Sequence, residues 1–182
     1  MPVAARYLLF AQVAFWSAML LCVAIAHGGL GDNHGFSFYG GRVSTILPYA
    51  IGFLAAAALI TQAAWLLDRS GRARLATGLR VLVVLLLADL LTPDTLGSVF
   101  YAAHIAASIA LFTFEATFGL WLVTAVASTT GTVGLYSTQI TGGVVAGLSQ
   151  LQWIGLLGLG IFVFQIAFGA LLVIVVAHLP DR

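Results

Sequence analysis

Residues 154–177 read IGLLGLGIFVFQIAFGALLVIVVA, a stretch that carries no formal charge. A helix of about 20 apolar residues is long enough to cross the hydrocarbon core of a bilayer. The only strongly polar side chain in this stretch is that of Gln165. The stretch therefore predicts a membrane-spanning helix near the carboxyl end of the sequence.

Similar apolar runs fill much of the chain, which is 62% hydrophobic and only 7% charged. In soluble domains about a quarter of the residues are charged, so this composition argues against a water-soluble domain. The runs predict spans at about residues 6–27, 46–67, 75–91, 101–127, 130–149 and 154–177. We expect an all-α fold, a polytopic transmembrane helical bundle of six spans that forms a single integral membrane domain over residues 1–182.

The span at residues 130–149 is the weakest of the six, because it is rich in glycine, hydroxyl and amide side chains. Five spans are therefore the alternative. The arginines within residues 69–74 cluster after the second span, and such clusters mark cytoplasmic connectors. Six spans keep both termini in the cytoplasm of a cell-membrane protein and leave Arg42 as the only cation outside.

The charged residues also exclude several function classes. All seven cations are arginine, so a lysine Schiff base and a lysine nucleophile are excluded. A net charge of +1 offers no basic patch for nucleic acid. The chain contains no nucleophile elbow, P-loop or HExxH pattern, so a hydrolase is kept only as a minor alternative.

Three polar residues share one face of the fourth span. On a helix, Ser108 follows His104 by one turn and Glu115 follows His104 by three turns, over about 16 Å. An ionised carboxylate near the bilayer centre costs at least about 2.5 to 3.5 kcal/mol, so Glu115 is expected to be protonated or paired. Gln165 is its first expected partner. The other polar side chains expected at a similar depth are those of Gln12, Trp16, Ser17, Thr61 and Gln62. Asp89 is expected to cap a helix or pair near the outer end of the third span.

Two roles are open for Glu115. Hydrogen bonding of a protonated Glu115 to Gln165 would be a structural clasp between two spans. An exchangeable proton at Glu115, together with His104, would instead suit a small proton-coupled transporter.

A metal site is a further hypothesis. The predicted topology places His27, His34, His104 and Asp32 near the outer boundary, where such ligands would suit zinc or haem. These residues come from different segments, and the chain contains no local metal or haem pattern such as HxxxH or CxxCH. No cofactor is therefore predicted from the sequence, and zinc or haem is kept as a hypothesis.

The loop at residues 31–43, GDNHGFSFYGGRV, holds three aromatic side chains, those of Phe36, Phe38 and Tyr39. These residues are too apolar for a merely solvated loop, so the loop is expected to fold back over the outer end of the bundle. An extended backbone would direct Phe36 and Phe38 one way and Ser37 and Tyr39 the other. Such a lid would seal the bundle, roof a ligand cavity or dock a partner protein.

The pattern GFSFYG at 35–40 leading into TILPY at 45–49, with TPD at 92–94 and His104 later, supports a resemblance. It resembles six-span bacterial membrane proteins that carry the domain of unknown function 998. The resemblance implies six spans in a bacterial inner membrane. It implies no activity.

The function that we expect from the sequence involves no covalent chemistry. The protein would bind a lipid or small molecule in a cleft framed by the aromatic loop and the glycine-rich fifth span. Otherwise it would act as an accessory subunit with a membrane protein partner, or form a homodimer. The alternatives are a proton-coupled transporter using Glu115 and His104, and a metal- or haem-dependent enzyme at the outer face.

Overall fold

A computed structural model describes residues 1–27 and 35–179 of the chain. Within these residues the fold is all-helical and contains no β-strand. The helices are α1 (Val3–Ile25), α2 (Ser37–Gly40), α3 (Ile46–Arg69), α4 (Ala73–Leu91), α5 (Ser98–Trp121), α6 (Thr130–Gln150) and α7 (Leu157–Ala177). A π-helical turn, Leu122–Val126, continues α5.

Four of the long helices have the length and composition needed to cross a membrane. They are α1, α3, α7 and the continuous segment Ser98–Val126, which contains α5. The length and apolar composition of these four helices in the described residues indicate an integral membrane protein. Helix α4 is less apolar because it includes Arg74, Arg80 and Asp89, and α6 is less apolar because of its hydroxyls, amides and glycines.

Small residues determine the two closest helix pairs. A Cβ atom placed on Gly52 of α3 would lie 2.5 Å from the Cβ of Ala18 in α1. A Cβ placed on Gly142 of α6 would lie 2.6 Å from the backbone nitrogen of Phe164 in α7. Glycine at such positions lets two helix backbones approach closely. Helix α6, which is rich in glycine, hydroxyl and amide side chains, packs most extensively on α7.

The short helix α2 lies at the end of the bundle where α1 ends and α3 begins. Tyr39 is fully buried in a cluster with Met19, Cys22, Tyr49 and Phe53. The hydroxyl of Thr45 donates to the carbonyl oxygen of Tyr39 at 2.7 Å, which ties α2 to the start of α3. The described part of the predicted loop, residues 35–43, therefore folds back against the bundle and is called the lid segment below.

The predicted alternation of side chains in this loop is wrong. Ser37–Gly40 forms a turn of helix, which turns each side chain by about 100° from the last, where an extended strand would alternate them. Tyr39 is consequently directed into the core, whereas Phe36 and Phe38 are only partly buried. The residues at 28–34, including Asp32 and His34, lie outside the described part of the chain.

The close approach of α6 and α7 gives a stability prediction. A Cβ on Gly160 would lie 2.5 Å from the backbone nitrogen of Ala146, a contact that rotation of a side chain cannot relieve. We expect Gly160→Ala to lower the free energy of unfolding by about 1 to 3 kcal/mol, because the two helices must separate.

The control is Gly134→Ala, also in a long helix but with open space around the added carbon. This change is expected to be neutral or to stabilise the protein by up to about 1 kcal/mol. Thermal unfolding in detergent measures both variants. Equal unfolding temperatures for the two variants would contradict the backbone contact.

Candidate functional site

A cavity of about 1090 Å³ lies between α5 and the α6–α7 pair. Helix α5 contacts α6 and α7 much less than these two helices contact each other, which leaves this space open. Its lining includes Phe15, Phe36, Phe38, Arg42, Phe53, Leu86, Asp89, Tyr101, His104, Ile105, Ser108, Ile109, Phe112, Ile140, Gly143, Val144, Gly147, Gln150, Ile161, Phe164 and Gln165. The aromatic loop and the glycine-rich helix thus line one cavity, as the sequence predicts.

The long walls of the cavity are apolar. Ile105, Ile109 and Phe112 line it from α5, while Val144 and Ile161 line it from α6 and α7. Glycine at several positions of α6 widens the space, because no side chain fills it there. Ligand pockets in proteins are typically lined by apolar side chains with a few polar groups, and this cavity has that composition.

Aromatic contacts hold the folded loop at one end of the cavity. The ring of Phe36 lies 6.1 Å from that of Phe15 and 6.0 Å from that of Trp16, both in α1. The guanidinium of Arg42 lies 3.9 Å from the centre of the Phe38 ring, a cation–π contact. Phe36, Phe38 and Arg42 all line the cavity, so this segment forms part of its wall as well as sealing the bundle end.

Three polar side chains meet in the cavity wall near this end. The hydroxyl of Ser108 donates to Oδ1 of Asp89 at 2.6 Å. Nδ1 of His104 lies 3.6 Å from the same oxygen, beyond hydrogen-bond distance. The expected pairing of Asp89 near the end of its helix is confirmed, and its partner is Ser108 on the predicted polar face of α5.

These three side chains do not form a nucleophilic relay. A serine nucleophile requires the histidine to take the serine proton while a carboxylate orients the histidine. Here Ser108 donates directly to Asp89, so His104 does not stand between them. The arrangement supports hydrogen bonding to a ligand better than acyl transfer.

A second polar pair lies deeper in the bundle. Nε2 of Gln165 in α7 donates to Oε2 of Glu115 in α5 at 2.7 Å, so the predicted hydrogen bond between these residues is confirmed. Glu115 is only 1% exposed and lies behind the wall, whereas Gln165 lines the cavity. A hydrogen bond across two helices is the geometry of a structural clasp. A transport role for Glu115 and His104 stays a prediction.

Two other predicted residues in the described part of the chain, Tyr39 and His27, do not line the cavity. Tyr39 belongs to the lid segment but is buried against α1 and α3, and Nδ1 of His27 contacts the carbonyl oxygen of Val23, near the end of α1. Among residues 1–27 and 35–179, no group of three histidine, cysteine or acidic side chains is close enough to hold a metal ion. Asp32 and His34 lie outside these ranges. Zinc and haem stay hypotheses.

Several polar residues of this region were not predicted. Arg42, Tyr101 and Gln150 line the cavity near the lid, and Gln139 is fully buried against Gly119 at the other end of α5. The contact between Gly119 and Gln139 follows from the antiparallel course of α5 and α6. The connection between these helices is short, so residues at equal distances from it, such as 119 and 139, lie opposite each other. Counting outward from the connection could therefore have predicted this contact.

Comparison of the chain with protein-family models, with curated proteins and with solved structures gave no match. The resemblance to proteins with the domain of unknown function 998 therefore stays a prediction.

The hydrogen bond between Glu115 and Gln165 generates a double-mutant prediction. Glu115→Leu leaves the amide of Gln165 without its acceptor, so we expect a loss of about 1 to 3 kcal/mol in the free energy of unfolding. Glu115→Gln keeps an amide oxygen at the same place and is expected to unfold close to the wild type. Thermal unfolding in detergent measures each variant.

Combining Glu115→Leu with Gln165→Leu removes both polar groups and is expected to recover part of the loss. Strictly additive losses would show that the two side chains do not stabilise each other.

Proposed function

We propose that this integral membrane protein binds one lipid or lipid-like small molecule in the cavity beside α5, without covalent chemistry. The observation that carries the proposal is the cavity itself, about 1090 Å³ in volume with apolar walls and a cluster of polar groups at one end. Pockets for small ligands usually measure about 300 to 1000 Å³, so the volume suits a ligand at the large end of that range.

The distribution of polarity supports an amphipathic ligand. Ile105, Ile109 and Phe112 offer an apolar surface along α5, which suits a hydrocarbon chain. Asp89 and His104 lie at the lid end and offer hydrogen bonds to a polar group. A molecule with one polar end and one apolar chain would match both parts of the wall.

The route into the cavity would be sideways from the bilayer. Helix α5 makes few contacts with α6, and exposed apolar residues such as Ile109 and Val144 border the space between them. A lipid already dissolved in the bilayer could enter there without its chain passing through water. An accessory role with a protein partner or a second copy stays a prediction.

We further propose that α4 and α6 complete a six-span bundle with both termini in the cytoplasm of a cell membrane. Helices α3, α4, α5, α6 and α7 follow one another through short connections, which supports antiparallel neighbours. One charge of α4 is neutralised, since Arg80 donates to Asp68 of α3 at 2.6 Å. The arginines at 69–74 support a cytoplasmic position for the connection between α3 and α4.

Filling the cavity tests the binding proposal. Val144 of α6 lines the cavity and is 55% exposed, so tryptophan there would occupy ligand space without disrupting the core. We expect Val144→Trp to reduce the fraction of protein that retains a bound lipid by about tenfold. Native mass spectrometry of gently extracted protein measures the retained mass.

The matched control is Val133→Trp, on the same helix and 45% exposed but outside the cavity lining. This variant is expected to retain lipid like the wild type. Equal retention by both tryptophan variants, or no retained molecule in the wild type, counts against the proposal.

Cysteine labelling tests the orientation. In a Cys22→Ala background, Leu96→Cys would place a thiol at an exposed position before α5, and Arg74→Cys would place one near the start of α4. A membrane-impermeant thiol reagent should label position 96 in intact cells and position 74 only after the membrane is opened. The reverse pattern would invert the proposed topology.

A further inference from the structure

The polar groups that line the cavity differ in how deeply they are buried. Asp89 and His104 are in the wall, with side chains only 12% and 9% exposed. Arg42 is exposed and lies at the rim, in the connection between α2 and α3. A ligand whose chain follows the apolar wall would meet Asp89 and His104 first and Arg42 last.

The pair in the wall suits a hydroxyl group. A carboxylate accepts several hydrogen bonds at once, so Asp89 can accept from a ligand donor in addition to its contacts within the protein. Nδ1 of His104 is buried and has no hydrogen-bond partner among the described residues. A hydroxyl both donates and accepts, so one ligand hydroxyl could serve the two side chains together. A negatively charged group at the same place would be repelled by Asp89.

The residue at the rim suits a phosphate. The guanidinium of Arg42 is held over the Phe38 ring by the cation–π contact. Arginine presents several N–H donors in a planar fork, which matches the oxygens of a phosphate. A phosphate just outside the hydroxyl would therefore have a positioned cationic partner.

We propose that the ligand is a lysophospholipid, a single-chain lipid with a free glycerol hydroxyl and a phosphate. Its chain lies along α5, its hydroxyl binds Asp89 and His104, and its phosphate binds Arg42. A two-chain phospholipid lacks the free hydroxyl, and a fatty acid would place its negative charge beside Asp89. The inference rests on the proposed function, since it names the class of lipid that the same cavity takes.

The test is a titration of the full chain in non-ionic detergent, followed by native mass spectrometry. The probes are oleoyl lysophosphatidylcholine, its analogue without the free glycerol hydroxyl, dioleoyl phosphatidylcholine and oleic acid. We expect one lysolipid per chain, bound about tenfold more tightly than the analogue, because the analogue loses a hydrogen bond to a charged group. The two-chain lipid and the fatty acid should bind more weakly than the lysolipid.

Variants separate the contribution of Asp89, which would bind the ligand hydroxyl, from that of Arg42, which would bind the phosphate. Asp89→Asn keeps an acceptor for Ser108 but removes the charge, so the preference for the hydroxyl should fall to about threefold or less. Arg42→Gln should weaken binding of the lysolipid and of its analogue alike, while Arg6→Gln, far from the cavity lining, should weaken neither. Unfolding temperatures show whether each variant is folded.

The outcomes separate this inference from the proposed function. Equal binding of the lysolipid and its analogue, or an unchanged preference in folded Asp89→Asn, overturns the lysophospholipid assignment but leaves lipid binding standing. Tighter one-to-one binding of oleic acid or of the two-chain lipid also overturns the assignment alone. If no probe binds with one-to-one saturation, the proposed function fails as well.

Discussion

The backbone contact between α6 and α7 is the constraint on which the rest of the structure depends. Helix α6 carries hydroxyls, amides and glycines, and exposed peptide groups are costly in hydrocarbon. Gly142 and Gly160 let α7 cover one face of α6 at backbone distance. Helices α6 and α7 form one tight pair, and α5 contacts this pair near Gly119 and Gln139. Toward the lid segment α5 is separated from the pair, and the cavity lies in the space between them.

Pairs of polar side chains connect the helices around this cavity. Gln165 binds Glu115 across α7 and α5, Ser108 binds Asp89 across α5 and α4, and Arg80 binds Asp68 across α4 and α3. A polar group in an apolar environment is stable mainly when it has a partner, so each pair restricts how two helices can be arranged. The pair at Asp89 lies in the cavity wall, so the same side chains hold two helices together and line the cavity.

The lid segment has a structural part and a part that faces the cavity. Tyr39 is buried among side chains of α1 and α3 and anchors the segment. Phe36 and Phe38 lie beside it and line the cavity, with Arg42 stacked on Phe38. Different residues of one segment therefore anchor it to the bundle and line the cavity.

Composition and apolar runs were sufficient to predict a helical membrane protein, since the cost of transferring charge into hydrocarbon depends on residue type alone. Helical spacing and depth limited the partners of Glu115 to a few polar side chains, of which Gln165 was the first choice, and the structure shows that hydrogen bond. The conformation of residues 36–40 was not predictable from alternation, since burial of Tyr39 against two helices selects a helical turn. The cavity, and the meeting of Asp89, Ser108 and His104 in its wall, depend on how far α5 leans from its neighbours. That distance is determined by packing between residues far apart in the chain, and only the tertiary structure decides it.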